Sequence, residues 1–63
     1  MWELTAQRRL ALNQILQAML GSEELVERWW ESPNRAFDGL TPLQADPELV
    51  RDYVLWHGFM AGG

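Results

Sequence analysis

A chain of 63 residues without a cysteine has to hold itself together by apolar packing. A domain this short hides only about 60% of the surface its unfolded form exposes. Apolar burial and ordering entropy nearly cancel at such a size, with roughly 1.5 kcal/mol lost per ordered residue. Disulfides and thiolate zinc sites are excluded, and one histidine, His57, cannot build a metal cage. Association with a second copy or with another protein is the staple left to a single domain spanning residues 1–63.

Charge narrows the choice of partner. The chain carries five arginines, no lysine and a formal net charge of −4. It is poorly suited to holding phosphates through counterion release, so no direct nucleic-acid ligand is expected. No apolar run approaches the roughly 20 residues of a membrane span. The first twenty residues alternate apolar and polar groups, unlike a secretory signal. The expected location is cytoplasmic, with no membrane partner.

Periodicity predicts an all-α, four-helix domain with helices near 3–20, 22–31, 42–45 and 47–58. Leu12, Ile15, Leu16, Met19 and Leu20 recur at three- and four-residue spacing on the first. That stripe is long for so small a domain, and dimerisation through the first helix is expected from it. Gly21 supplies a left-handed stop, and Ser22 caps the second helix ahead of Glu23 and Glu24. Leu25, Val26, Trp29 and Trp30 form its apolar face until Pro33 ends it. Phe37 anchors an ordered loop with a turn at Asp38-Gly39. Thr41-Pro42-Leu43-Gln44 reads as a capping box opening a short helix, and Asp46-Pro47-Glu48 starts the last. Leu49, Val50, Tyr53, Trp56, His57 and Met60 share one side of that helix, which Gly58 either ends or loosens before a frayed Gly62-Gly63 tail. The expected core is Leu16, Leu20, Val26, Trp29, Phe37 and Leu43.

Nothing in the pattern builds an active site, so no enzyme, catalytic residue, metal or cofactor is expected. Glu23, Glu27 and Glu31, like Glu48 and Asp52, lie four apart on helix faces. They read as a solvated acidic surface that could steer a basic partner. His57 reads as a packed or hydrogen-bonded histidine at a helix end, with partner contact as its functional use. The four tryptophans say more. Trp29 and Trp56 are expected in the core, whereas Trp2 and Trp30 flank their stripes and are expected to be exposed interface anchors. Leu10 falls opposite the first stripe. Leu55 and Phe59 fall off the last one and form either a contact patch or ordinary surface.

From Gly21 onward the order of residues resembles a known family. Trp29-Trp30-Glu31-Ser32-Pro33-Asn34 is followed by Arg35-Ala36-Phe37-Asp38-Gly39-Leu40-Thr41-Pro42-Leu43 and a last helix closing on Gly58. Trp29, Pro33, Asn34, Phe37, Gly39, Thr41, Pro42 and Leu43 fall in register with the toxin-binding domain of the Xre/MbcA/ParS antitoxin family. The resemblance covers about residues 20–60. It implies an inhibitor that binds a RES-type toxin, an enzyme consuming or transferring part of NAD, and covers the toxin's active site with its C-terminal region. Such antitoxins also carry a helix-turn-helix domain. Here only about twenty residues precede the match, so a standalone binding module is expected, whether natural or cut from a longer protein.

The residues expected to touch the partner are Trp30, Arg35, Leu55, Trp56, His57, Phe59 and Met60, with Trp56 and Met60 alternatively closing the chain's own core. Two other readings stand beside the antitoxin. One is a small regulatory adaptor, phage- or plasmid-encoded, that binds a host protein. The other is a minimal DNA-binding domain, against which the missing lysines and net charge weigh.

Overall fold

The computed structural model describes residues 1–62 and contains three α-helices and one 3-10 turn. These are α1 (Ala6–Leu20), α2 (Glu23–Glu31), the turn Arg35–Phe37 and α3 (Pro47–Gly62). No strand occurs among the described residues, in keeping with the all-α expectation.

Local chemistry sets each boundary. Thr5 is extended and its Oγ1 accepts the backbone N–H of Arg8 at 3.2 Å, so α1 begins at Ala6 and not near Glu3. A β-branched hydroxyl residue favours this capping role over a helical interior. The five residues before it form an arm. Its Trp2 ring lies between the guanidinium groups of Arg8 and Arg51, 5.2 and 5.1 Å from the ring centroid. Gly21, at φ 99°, closes α1 by donating its N–H to the Gln17 carbonyl. Ser22 Oγ then accepts from the N–H of Leu25 to open α2. Asn34 folds the loop after α2: its side chain accepts from Ala36, its N–H donates to the Leu40 carbonyl, and its carbonyl accepts from Phe37 and Gly39. Asp38 and Gly39 take the left-handed backbone of that turn.

The expected helix at 42–45 is a single turn, which reduces four helices to three. Its capping box forms as the sequence predicts: Gln44 N–H donates to Thr41 Oγ1, and Thr41 N–H to Gln44 Oε1. Propagation stops because Pro47 has no N–H to donate and biases Asp46 out of helical geometry. Asp46 becomes the start of α3 instead, its carboxylate accepting from Glu48 at 2.9 Å. The helix α3 continues past Gly58 to Gly62, so Gly58 does not end it. Gly63 lies outside the described residues.

Around α1, which packs against both α2 and α3, the core gathers Leu12, Leu16, Val26, Trp30, Phe37, Ala45, Val50 and Val54. Four residues depart from expectation here. Trp30, not Trp29, is the fully buried tryptophan, because it lies four residues after Val26 on the same face of α2. Its indole N–H donates to Asn13 Oδ1 at 2.6 Å, satisfying its one polar atom inside. Trp29 is half-buried on the flank, stacked on Tyr53 at 6.1 Å and set edge-on to Phe37 at 6.3 Å. Leu43 points outward, since the single turn carrying it buries Pro42 and Ala45. Leu20 is half-buried against the core.

Gly58 owes its place to packing. A Cβ built there would run into the Cγ2 of Ile15, with Met19 also close. The absence of a side chain is what lets α1 and α3 approach at this level.

Candidate functional site

Apolar residues surround α3, and only one face can enter the core. At about 100° per residue, Val50, Val54 and Gly58 share the inward face, and both valines are fully buried. Two apolar flanks remain outside, one on each side of that face.

The first flank meets the loop after α2. Leu49, Asp52, Tyr53, Trp56 and His57 border a shallow depression together with Ala36 and Phe37. Trp56 is 61% exposed. Met60, one turn further along the same side, is also exposed. An aromatic series leads out from the core to this surface. Phe37 is edge-on to Tyr53 at 5.3 Å, Tyr53 contacts His57 at 4.3 Å, and His57 meets Trp56 at 5.4 Å. Tyr53, wedged between Trp29 and Phe37, thus supports a surface indole from beneath through the imidazole.

Across α3, the second flank faces α1. Leu55, Gly58 and Phe59 line a cleft with Gln14, Ile15, Ala18 and Met19. Phe59 is 77% exposed at its edge, whereas Leu55 is half-buried and reaches the core.

The residues expected to touch a partner therefore separate into groups. Trp56, His57 and Met60 share the first flank. Leu55 and Phe59 share the second. Arg35 is exposed at the start of the 3-10 turn, next to Ala36 of the first flank. Trp30 is corrected: at 0% exposure it offers no surface, and its ring is covered on one side by Arg9, 4.9 Å from the centroid. Trp56, read from the sequence both as core filling and as a partner contact, is on the surface because Val50 and Val54 fill the space beneath α3. Leu49 and Tyr53 belong to the first flank, although periodicity assigns both to the inward stripe. Two β-branched residues four apart and aligned with a glycine are the sequence signal that distinguishes the true inward face.

The acidic side chains of the helices lie at the surface. Glu23, Glu24, Glu27 and Glu31 are all exposed on α2, and Asp52 is exposed on α3. Among the described residues no group of three or more His, Asp or Glu side chains could hold a metal. Arg8, Arg9 and Arg51 lie over the chain's own tryptophan rings. Among the described residues no helix is long and apolar enough to cross a membrane.

Searches of curated proteins and of solved structures return no match. The family model of the antitoxin Xre/MbcA/ParS C-terminal toxin-binding domain matches residues 16–45. That segment contains the end of α1, all of α2, the Asn34 loop and the Thr41 capping box, and it positions Phe37 and Ala36 against α3. Over residues 16–45 the chain is thus similar to the antitoxin Xre/MbcA/ParS C-terminal toxin-binding domain.

Proposed function

We propose that this chain is an antitoxin module that captures a toxin of the RES type, an NAD-consuming enzyme, and inhibits it by covering its active-site entrance. The observation that carries the reading is the family match over residues 16–45. Its surface is the first flank of α3, with Trp56 as the central anchor, Leu49, His57 and Met60 around it, and Arg35 at the rim. An exposed indole backed by a packed aromatic series is rigid before binding, so little ordering entropy is lost when a pocket closes over it. Met60 adds adaptable apolar area at the edge. The acidic face of α2 steers a basic partner surface toward the complex without adding much affinity.

Inhibition by occlusion needs stoichiometric binding and no chemistry from the chain itself. Co-expression with a RES-type toxin from the same genetic neighbourhood tests this. Growth and cellular NAD should be restored by the wild-type chain and not by the Trp56→Glu variant. Failure of the wild-type chain to restore either, despite soluble expression, would refute the toxin assignment.

A further inference from the structure

We infer that the depression beside Trp56 receives an arginine side chain of the partner, which deepens the toxin-binding role proposed for this flank and rests on it. Phe37, Tyr53 and Trp56, with the imidazole of His57, border a cleft of about 350 Å³, the small end of ligand-sized sites. Asp52, one turn before Trp56, brings the one carboxylate to the same border. Aromatic rings attract a cation to their faces, and a carboxylate accepts from its N–H groups. Arginine answers both, because its planar guanidinium stacks on a ring while its edge donates.

The chain's own packing leaves both groups open. Arg8 and Arg51 lie against Trp2, and Arg9 against Trp30. Among the described residues no arginine lies over Trp56, whose ring is exposed. The Asp52 side chain is 63% exposed, and Nε and Nη2 of Arg51 both reach its Oδ1 at 2.9 Å. Its other oxygen is left to accept from outside. Neither Arg35 nor Arg51 borders the cleft, so no cation of the chain fills it. A net charge of −4 favours a cationic occupant over an anionic one. A purely apolar occupant would take Asp52 out of water without a new partner, which is costly.

Nuclear magnetic resonance titration of the full chain tests the site with capped tripeptides carrying arginine, lysine or citrulline between two glycines. Citrulline keeps the shape of arginine and removes its charge. The arginine peptide should shift the amide resonances of Tyr53 and His57 with a Kd of about 1–10 mM. The citrulline peptide should bind at least about 10-fold more weakly, and the lysine peptide, whose ammonium cannot stack, should also be weaker. Trp56→Leu, which keeps apolar area without the ring, and Asp52→Asn should each weaken the arginine peptide about 10-fold. Both positions are exposed, so far-ultraviolet circular dichroism should show wild-type helicity. Asp52→Asn should also bind a purified RES-type toxin about 10-fold more weakly than the wild type. Equal binding of the arginine peptide and either control, or an arginine peptide indifferent to Trp56→Leu or Asp52→Asn, overturns the site. Toxin binding unchanged in Asp52→Asn overturns its use by the toxin. A chain that takes the arginine peptide but no toxin upholds the site and refutes the toxin assignment instead.

Discussion

Two adjacent tryptophans show what the fold does with single residues. Trp29 and Trp30 differ by one position, yet Trp30 has no exposed surface and Trp29 lies on the flank. The deciding partner is Val26, four residues earlier on the inward face. Sequence alone leaves that choice open, because a nine-residue helix with two consecutive indoles satisfies the pattern in either rotation. The consequence is measurable. Trp30→Ala should cost about 3–5 kcal/mol, most of the stability of a domain this small, and leave the chain largely unfolded in thermal circular-dichroism scans. Trp56→Ala should shift stability by less than about 0.5 kcal/mol in the same scans. Gly58 gives a second residue-scale prediction. A methyl group there meets Ile15 across the α1–α3 contact, so Gly58→Ala should destabilise by about 1–3 kcal/mol in urea unfolding, despite alanine's higher helix propensity.

At the scale of elements, most starts and stops are legible in the sequence, the Thr5 cap of α1 and the run of α3 through Gly58 excepted, and the buried face of α3 is not. Gly21, Ser22, the Thr41–Gln44 box and Asp46–Pro47 all act as their sequence chemistry predicts, because capping depends on four or five neighbouring residues. How far a helix runs beyond its cap depends on more. The Thr41 box opens one turn only, because Pro47 interrupts it, and α3 passes through Gly58 because tertiary contact with Ile15 favours a glycine within the helix. The inward face of α3 escapes the sequence pattern for a related reason. Leu49, Val50, Tyr53, Val54, Leu55, Trp56, Phe59 and Met60 surround the axis, so periodicity carries little information about which side is buried. Thr41→Ala breaks the bond that holds the Gln44 N–H and should cost about 1 kcal/mol, read as a lowered midpoint in urea unfolding with unchanged helicity at zero denaturant.

For the molecule as a whole, distribution matters more than composition. The resemblance to the family is legible because Pro33, Asn34, Phe37, Gly39, Thr41, Pro42 and Leu43 follow Trp29 of α2 in the connection to α3, and a loop made by hydrogen bonds from specific side chains leaves a specific sequence trace. The binding surface leaves a weaker trace, since an exposed apolar flank uses the same residue types as a core. Its residues become separable only once Val50 and Val54 are seen to close the interior. Carboxylates line α2, arginines cover tryptophan rings, and α3 presents apolar flanks to either side. On this account the loop matched to the toxin-binding family buttresses the flank that meets the toxin. The most direct test is calorimetric titration of a purified RES-type toxin with the wild-type chain and with Trp56→Glu, both verified as folded by circular dichroism. The account predicts a saturable stoichiometric complex for the wild type and at least about 100-fold weaker binding for the variant. Binding of Trp56→Glu at wild-type affinity would contradict it.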